Sequence, residues 1–462
     1  MANKDQTDPV RMEKIVSLCK RKGFIFQSGE LYGGLNGCWD MGPLGAELKK
    51  NVKEIWWRRN VQERDDVLGM DGSILTHQAV LTASGHVGGF SDPMVDCKAC
   101  KGRYRADSLD TLECGKKPSC NPGQGKECEL TEPRSFDLML STKLGAMAGD
   151  DDPKAVAYLR PETAQSIFVQ YKNVMDSNRV KLPFGIAQIG KSFRNEINPR
   201  NYIFRSREFE QMEIEFFCHP DDGLRLTEEW LESRLQWYAE VGIPREKLHV
   251  LDIPDGERAH YSEKTYDIEY EFPFGIQELE GVAYRGSYDL TKHNDASGKS
   301  LEYRDDETKE KFIPHVVEPS AGCDRTVLAL LCEAFDEEDL TKEGGKTDIR
   351  TVMRFSPKVA PIKAAVFPLL KKNEEQVRIA KEIQKELQQW MNVQYDDGGA
   401  VGRRYRRQDE IGTPFCITID FETLGEEGEE LKDTVTIRER DSMEQHRVPK
   451  DEVLAWLLKR TR

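Results

Sequence analysis

The sequence lacks the long apolar segments that membrane proteins need. No run of 18 apolar residues occurs among the 462 residues, so we expect no membrane span and no membrane partner. The first ten residues, MANKDQTDPV, contain no apolar signal core, which favours a cytoplasmic location. Charged residues make up 32% of the chain and apolar residues 38%. This balance is typical of a polar globular protein that is long enough for two or three domains.

Several motifs of nucleotide-binding proteins and hydrolases are also missing. The phosphate-binding loop GxxxxGK[ST] does not occur, which excludes the P-loop proteins. Neither HExxH nor GxSxG is present, so nothing indicates a zinc peptidase of that type or a serine hydrolase. The sequence contains no internal repeats and no long low-complexity segment.

The cysteines form only half of a recognisable metal motif. The chain has eleven cysteines, an odd number in a protein too large to need disulfides, and most are expected to be reduced thiols. Segment 96–135 holds five of them and many Lys, Gly and Pro, which predicts an insertion with its own small fold. One CxxC is followed by three cysteines at other spacings, so a structural zinc site and plain thiols both stay open. The candidate ligands are Cys97, Cys100, Cys114, Cys120 and Cys128.

The net charge of −15 argues against a protein that coats nucleic acid. Local charge differs, because the segment GGAVGRRYRRQDEIGTP places four arginines around Tyr405. Single-stranded RNA loops are bound by stacking on aromatic rings and by arginine contacts, and such binding weakens with salt. The segment therefore predicts an RNA contact, with a solvated basic loop as the alternative. The candidate residues are Arg403, Arg404, Tyr405, Arg406 and Arg407.

Residues 191–217, KSFRNEINPRNYIFRSREFEQMEIEFF, predict two strands joined by a loop. Successive side chains in a strand point to opposite faces. One face of the pair would be polar and the other apolar, with Ala187, Ile189, Phe193, Met212, Ile214 and Phe216 on the apolar side. A floor with Arg, Glu and a flat ring suits a ligand that has an anion, an amine and a base, although a solvated face explains the same alternation. The polar side would hold Gly190, Ser192, Arg194, Glu196, Phe209, Gln211, Glu213 and Glu215.

Hydrophobic periodicity organises the rest of the chain into two parts. Helices are predicted at AELKKNVKEIWWRRNV, at PETAQSIFVQYKNVM, over 221–240 and after GCDR, with strands within 265–290. The polar stretch 336–358 is predicted to be a linker. Beyond it, the strands KAAVFPLL, FCITIDF and DTVTIRER alternate with helices, which predicts a small α/β domain with a mixed sheet.

The strand FRNE, the later RSREF and the distant EPSAGCDR together resemble the class II aminoacyl-tRNA synthetases. The second motif of that family is an Arg-x-Glu strand, a loop and a strand bearing Phe. Its third motif leads from a Gly-rich strand end into an arginine and an apolar helix, although Asp324 stands where the family has a glycine. The segment DMGPLGAELKK with Pro43 is similar to the first, dimer-forming motif.

Six ordered blocks narrow the resemblance to the dimeric glycyl-tRNA synthetases. They are LRPETAQ, RNEINPR, FRSREFEQMEIEFF, GSYDLTKH, EPSAGCDRT and RRYRRQDEIGTPF. The resemblance implies an α+β fold: an antiparallel-sheet catalytic domain over 1–350, with a Cys-rich insertion at about 96–135 and a helical insertion at about 220–262. An α/β anticodon-binding domain would follow at 359–462, and the protein would be a homodimer.

The implied activity is that of a glycine–tRNA ligase. Glycine and ATP would form glycyl-adenylate and pyrophosphate, and glycine would then pass to the 3′ end of tRNA(Gly). Two alternatives stay open: a class II synthetase for another small amino acid, such as serine or alanine, or a non-catalytic synthetase-like protein that binds nucleic acid. The second alternative should have lost one of Arg194, Glu196, Phe209 or Arg325, and all four are present.

The resemblance also implies which residues bind ATP. Arg194, Glu196 and Arg325 would be catalytic, Phe209 would stack on adenine, and Glu278 would suit Mg²⁺. The guanidinium group of arginine can donate two parallel hydrogen bonds to a phosphate, and Mg²⁺ binds carboxylates and phosphates. These residue types therefore fit the roles. The implied ATP set is Arg194, Asn195, Glu196, Phe204, Arg205, Ser206, Arg207, Glu208, Phe209, Glu278, Leu279, Gly322, Cys323, Asp324 and Arg325.

Glycine has no side chain, so recognition must rest on its ammonium and carboxylate groups and on excluded volume. The resemblance places Glu162, Glu213 and Glu318 around the amine and Arg105 at the carboxylate. Alanine would be rejected because its methyl group does not fit. The implied glycine set is Arg105, Glu162, Phe209, Glu210, Gln211, Met212, Glu213, Glu318, Pro319, Ser320, Ala321 and Gly322.

Overall fold

The computed structural model describes residues 7–117, 119–125, 128–145, 156–342 and 345–462. Its centre is a seven-stranded sheet in the order β4-β5-β6-β7-β3-β2-β1, in which every neighbouring pair is antiparallel except the parallel pair β1 and β2. The strands are β1 Val67–Met70, β2 Phe184–Phe193, β3 Glu208–Cys218, β4 Leu248–Asp252, β5 Lys264–Phe272, β6 Gly275–Gly286 and β7 His315–Gly322.

The strand pair predicted from residues 191–217 is β2 and β3. Gln188 lies opposite Glu213, and Ser192 lies opposite Phe209. Met212 and Ile214 are fully buried in the main hydrophobic core, as the alternation predicts. The polar face is buried as well, since Glu213 is only 1% exposed, so the solvated-face alternative is wrong.

Helices cover both faces of this sheet. The helix predicted at PETAQSIFVQYKNVM is α5 (Ala164–Asn178), and the one predicted after GCDR is α8 (Cys323–Ala334). The segment at about 220–262, predicted as a helical insertion, is instead part of the main domain. Its helix α6 (Gly223–Val241) packs into the main core, where the Trp230 ring lies 5.4 Å from that of Phe216, and the chain then forms edge strand β4. The helices are α1 Pro9–Lys22, α2 Pro43–Trp57, α3 Gln78–Ala83, α4 His86–Gly89, α5 Ala164–Asn178, α6 Gly223–Val241, α7 Tyr288–Ser297 and α8 Cys323–Ala334.

Short strands build smaller units around the sheet. Ser91–Asp96 pairs with Arg103–Arg105 and with Arg134–Asp137 to form the sheet of the Cys-rich segment. Other short strands pair Ile25–Gln27 with Trp39–Met41, Val156–Leu159 with both Leu75–Thr76 and Leu140–Lys143, and Tyr303–Arg304 with Lys311–Phe312.

The stretch predicted as a polar linker is a two-stranded ribbon, Phe335–Asp339 paired with Ile349–Met353. Several of its charged side chains form ion pairs within the fold. Arg350 is buried and lies 2.9 Å from Asp409 of the following domain and 2.8 Å from Glu338. The linker prediction was wrong because a polar composition does not show whether charges have partners inside the fold.

The predicted C-terminal α/β domain is present, with a mixed sheet in the order β9-β8-β10-β11-β12. Strand β8 is parallel to β9 and β10, and the remaining pairs are antiparallel. The elements are β8 Ala364–Pro368, α9 Glu374–Leu387, β9 Val393–Tyr395, α10 Val401–Asp409, β10 Phe415–Ile419, β11 Thr434–Glu439, β12 Gln445–Pro449 and α11 Val453–Thr461. In the part of the chain that the structure describes, no helix is long and apolar enough to cross a membrane.

Candidate active site

A cleft of about 380 Å³ opens over the polar face of β3, β6 and β7. Both predicted sets of residues meet in it. From the ATP set it is lined by Arg194, Glu196, Phe204, Arg205, Ser206, Phe209, Glu278, Leu279, Gly322, Asp324 and Arg325. From the glycine set it is lined by Glu162, Phe209, Glu210, Gln211, Glu213, Glu318, Ser320 and Gly322.

Arg194 follows directly after β2 and is held in place before any ligand arrives. Its Nε donates to the carbonyl oxygen of Pro161 at 3.1 Å. Its guanidinium carbon lies 5.5 Å from the ring centre of Phe90 and 5.4 Å from that of Phe209. Cation–π contacts of this kind orient an arginine while its charge stays available to an anion. The arrangement presents a preorganised positive charge beside the aromatic ring at the cleft.

Two further arginines line the cleft, and each has an acidic partner. Arg205 donates to Glu196 at 2.6 Å. The Arg325 Nη1 lies 3.2 Å from the carboxylate of Glu278. The guanidinium carbon of Arg325 lies 4.4 Å from the ring centre of Phe204. The Arg325–Glu278 pair is partly exposed and is therefore weak enough to exchange its carboxylate for a phosphate, whereas Glu196 is buried against Arg205.

Asp324, which stands at a family glycine position, is tied to helix α2. Its carboxylate lies 2.6 Å from the Lys49 Nζ and accepts the backbone N–H of Glu210 at 2.7 Å. Glu210 in turn is 3.0 Å from Lys49 and 2.9 Å from Lys53. These two predicted ligands thus form one wall of the cleft with their charges already paired.

Some predicted site residues do not line the cleft. Met212 and Ala321 point to the core side of their strands and are buried there. Arg207 donates to the carbonyl oxygens of Glu196 and Asn36. The others that do not line the cleft are Arg105, Asn195, Glu208, Pro319 and Cys323.

Among these residues, Arg105 was predicted to bind the substrate carboxylate. It ends a strand of the Cys-rich segment, and its Nη1 lies 3.0 Å from Asp92. Arg105 does not line the cleft. Its role stays a prediction.

The predicted amine subsite consists of three carboxyl groups whose oxygens accept hydrogen bonds from only a few neighbouring donors. Glu213 accepts from the hydroxyl of Ser320 at 2.7 Å and from that of Thr163. Glu318 takes both of its hydrogen bonds from one Arg285 nitrogen, at 2.8 and 2.9 Å. Every oxygen has lone pairs left for a further donor.

Electrostatics in this subsite favour an incoming cation. Burial, reinforced by Glu162, raises the pKa of Glu213. Burial, opposed by Arg285 and reinforced by Glu213 and Glu162, raises the pKa of Glu318 to about 8. Burial would also raise the pKa of Glu162, but a hydrogen bond and charge from His86 hold it below the ordinary value. A cation placed among like charges relieves their repulsion, so the subsite suits an ammonium group.

Sequence reasoning missed several residues that complete the cleft. Arg285 is the buried cation that pairs with Glu318 and, at 2.8 Å, with Asp289. Asp267 lines the opposite end, where burial together with Glu278 raises its pKa to about 7. The block GSYDLTKH directly follows Arg285 and contains Asp289, so the signal was present without a role attached to it.

The Cys-rich segment brings four of its five cysteines together. The Sγ atoms of Cys97 and Cys128 are 3.3 Å apart, and those of Cys114 and Cys128 are 4.0 Å apart. The Cys100 thiol interacts with those of Cys97 and Cys114. Cys120 instead donates to the carbonyl oxygen of Lys117.

The basic segment of the C-terminal domain forms helix α10, and its five predicted RNA contacts divide into two groups. Arg404 is buried and donates to the carbonyl oxygens of Gly399 and Asp397. The hydroxyl of Tyr405 is 2.7 Å from that of Thr418. These two side chains hold the helix on its sheet, whereas Arg403 and Arg407 are exposed and Arg406 is partly so.

The antiparallel sheet, the arginine after β2 and Arg325 at the start of α8 together define a class II aminoacyl-tRNA synthetase core. Residues 147–334 match the model of the tRNA synthetase class II core domain (G, H, P, S and T), and residues 363–460 match that of the anticodon binding domain. The glycine–tRNA ligase of Treponema denticola is 50% identical over 449 residues, which cover 96% of each chain. Those of Thermobifida fusca and Clostridium perfringens are each 49% identical and cover 97% of this chain and 98% of theirs. The chain belongs to the glycine–tRNA ligase family.

Proposed function

We propose that this protein activates glycine with ATP and then transfers the glycyl group to the 3′ end of a glycine tRNA. The observation that carries the proposal is the composition of one cleft. The guanidinium groups of Arg194 and Arg325 line it together with the carboxyl groups of Glu162, Glu213 and Glu318, the last two of which are buried. Anion-binding and ammonium-binding groups in one cavity fit a reaction between a nucleotide phosphate and an amino acid.

In the first step, an oxygen of the glycine carboxylate forms a bond to the α-phosphorus of ATP. The bond from that phosphorus to the bridging oxygen breaks, and pyrophosphate leaves with the electron pair. The protein's work is positioning and charge stabilisation. Arg194 would meet the α-phosphate, Arg205 and Arg325 the outer phosphates, and Phe209 would stack on adenine, with Glu196 reading its amino group.

In the second step, the terminal ribose hydroxyl of the tRNA attacks the glycyl carbonyl carbon. The carbon–oxygen bond to the phosphate breaks, and AMP leaves. Aminoacylation of tRNA(Gly) transcripts with radiolabelled glycine tests the whole reaction. Charging of tRNA(Gly) and not of a serine tRNA is the expected result, and charging with serine or alanine would overturn the assigned substrate.

Selection of glycine would follow from the geometry around Glu213. Thr163 and Ser320 donate to this carboxylate, and Gln211 lies 3.4 Å from it. The hydrogen-bonded side chains fix the walls of a small pocket, and an added methyl group has to displace one of them. Steric exclusion of that kind is the proposed basis for rejecting alanine and serine.

Class II synthetases use ATP together with Mg²⁺, and the ATP end of the cleft has donors that fit the ion. Glu278 is half exposed beside Arg325, and Asp267 lies close enough for its pKa to be raised by Glu278. Mg²⁺ prefers one or two carboxylates together with phosphate oxygens. We assign these two residues as its protein ligands. Bound Mg²⁺ would neutralise charge on the outer phosphates.

We infer that the four neighbouring cysteines are candidate ligands of a structural zinc ion. In a tetrahedral site with zinc–sulfur bonds of about 2.3 Å, neighbouring sulfurs lie about 3.8 Å apart. Two of the six separations, 3.3 and 4.0 Å around Cys128, lie near that value. Among the described residues no three of the four sulfurs lie mutually within 4.8 Å, so the cluster would have to contract around the ion. We assign Cys97, Cys100, Cys114 and Cys128 as ligands and leave out Cys120. Metal analysis of purified protein should give about one zinc per chain, and it should give none in Cys97→Ser.

We propose a homodimer in the cytoplasm. Leu31 and Tyr32 are 96% and 95% exposed on the Gly-rich loop that precedes α2, and Leu35 is 57% exposed. Large apolar side chains grouped at the surface in this way mark contact sites for other proteins. All eleven cysteines are free, which fits a reducing compartment.

Helix α10 is the proposed contact for the tRNA anticodon loop. Arg403, Arg406 and Arg407 are the accessible side chains, and the last two form ion pairs with Asp348 and Asp396 that an RNA phosphate can replace. Arg404 and Tyr405 hold the helix on its sheet. Electrostatic binding of this kind weakens with salt.

A further inference from the structure

Glu215 is a carboxyl group without a partner, buried beneath the floor of the cleft. Its side chain is fully buried, and neither of its oxygens has a hydrogen-bond partner. It lies two residues after Glu213 on β3, on the same face of that strand, but it does not line the cleft. A buried ionised carboxylate without a donor is costly, so the group must be neutral or must acquire a cation nearby.

The surroundings of Glu215 contain more acids than one cation can balance. Oxygens of Glu213, Glu215 and Glu318 all lie within 4.8 Å of one another. The groups that act on Glu215 are Glu318 on β7, Arg285 at the end of β6, Glu213 on β3 and Asp289 on α7. Arg285 already donates to Glu318 and Asp289. Carboxyl groups this close in a dry site cannot all ionise.

The direction of titration agrees with that count. Burial, together with the charge of Glu318, raises the pKa of Glu215 well above its ordinary value. In the substrate-free state the cluster therefore keeps a proton at neutral pH, and Glu215 is the member that lacks any other stabilising hydrogen bond.

We propose that Glu215 carries a proton in the free protein and releases it when the ammonium group of the amino acid binds beside Glu213 and Glu318. This inference rests on the proposed function, which supplies the ammonium group. One positive charge enters and one proton leaves, so the cluster keeps its net charge. The proton passes from the Glu215 carboxyl to solvent, and no other bond changes. Glu215 is thus a positioning residue that couples amino-acid binding to pH.

The coupling has a definite sign. Protons and the ammonium group compete for the same cluster, so glycine should bind more tightly as pH rises. Release of one proton corresponds to a change of up to tenfold in the apparent dissociation constant per pH unit. The effect holds over the range in which the cluster keeps its proton and the glycine ammonium stays charged. The conservative variant Glu215→Gln has nearly the same shape and cannot lose a proton at this position, so its glycine affinity should vary less with pH than that of wild type.

Calorimetric titration of the full-length protein with glycine at pH 7, in two buffers of different ionisation enthalpy, measures the released proton. Glu215→Gln should release about one proton per glycine fewer than wild type. At pH 8 the variant should show a KM for glycine at least tenfold above wild type, with kcat retained. Glu228→Gln removes an exposed charge on α6 and should behave as wild type.

Three results separate the possible failures. Heats of glycine binding to wild type that do not depend on the buffer would overturn the inference, even if Glu215→Gln proved unable to fold. Equal proton release by wild type and a folded Glu215→Gln would also overturn it. ATP–pyrophosphate exchange is measured on the same wild-type sample. Absence of glycine-dependent exchange would show that the proposed function itself is wrong.

Discussion

At the scale of single residues, the cleft is organised around charges that are fixed before substrate binds. Arg194 is held between two aromatic rings and one carbonyl oxygen. Arg285 is held by two buried carboxylates. Preorganised charges of this kind stabilise a transition state because the protein does not have to reorganise during the reaction.

Replacement of Arg194 by alanine tests the phosphate end. Arg194→Ala should lower the rate of glycine-dependent ATP–pyrophosphate exchange by about 10²–10³-fold or more, because charge on the α-phosphate loses its donor. Circular dichroism should show an unchanged fold. Arg225→Ala, which removes an exposed arginine on α6, is the matched control and should retain full exchange. Normal exchange by folded Arg194→Ala would remove this residue from the reaction.

Replacement of Glu213 by glutamine tests the amine end. Glu213→Gln keeps the size of the side chain but removes its charge. A hydrogen bond to a charged group contributes about 1.5–3 kcal/mol, so the KM for glycine should rise roughly 10–100-fold while the KM for ATP changes little. Steady-state exchange at varied glycine and varied ATP measures both constants. An equal rise in both would show that Glu213 supports the fold of the cleft rather than the amine.

Sequence reasoning could place the ligand-facing side chains of β3 but not their buried partners. Strand alternation put Phe209, Gln211 and Glu213 on one face, and all three line the cleft. Arg285 escaped notice because a lone arginine at a strand end looks the same whether it is solvated or buried between two carboxylates. The difference depends on which side chains are paired in three dimensions, and no local sequence pattern predicts that pairing.

At the scale of elements, helix α10 combines two roles on different faces. Arg404 and Tyr405 fasten it to the sheet, and Arg403, Arg406 and Arg407 remain accessible. A helix held rigidly on one side and basic on the other suits contact with an RNA loop.

Removal of the accessible charges of α10 should separate tRNA binding from activation. The triple variant Arg403→Ala, Arg406→Ala, Arg407→Ala should raise the KM for tRNA roughly 10–100-fold and reduce its salt dependence, since phosphate contacts are lost. ATP–pyrophosphate exchange without tRNA should be unchanged. A control variant removes the same charge from α9 through Arg378→Ala, Lys381→Ala and Lys385→Ala. If both triple variants affect charging equally, α10 has no specific role.

The ribbon between the domains depends on one buried arginine. Arg350→Met leaves Asp409 without its shortest ion pair, and the loss of one partner from a buried pair costs about 3–5 kcal/mol. Thermal unfolding followed by near-UV circular dichroism should show a lower transition for the C-terminal part. Arg354→Met breaks partly exposed pairs and should cost at most about 1 kcal/mol. Equal shifts for the two variants would contradict the assignment.

The hydrophobic pattern predicted the elements with alternating or continuously apolar residues. It missed the elements that are polar or too short to show a pattern. Strands β2, β3 and β10 alternate or are continuously apolar, and each was found. The ribbon strands FDEED and IRTVM read as a linker because the first is mostly acidic. Strand β4 was hidden next to α6, since its five residues at the sheet edge have little periodicity of their own.

At the scale of the whole molecule, we expect local positive charge to let an acidic chain bind its three substrates, which are anionic or zwitterionic. Net charge is −15, yet the ATP end of the cleft and the exposed side of α10 each present three arginines. Local fields, rather than the total, decide where a polyanion binds. The sequence predicted both parts of the chain, whereas the ion pair that joins them through Arg350 was visible only in the structure.

The central claim is that one cleft activates glycine and excludes its nearest relatives. The most direct measurement is ATP–pyrophosphate exchange by the purified full-length protein with Mg²⁺ and without tRNA, offering glycine, alanine and serine separately. Exchange with glycine alone is the predicted result. Exchange with alanine or serine instead would keep the adenylate chemistry and contradict the carboxylate subsite. No exchange with any of the three, from folded protein, would contradict the catalytic account.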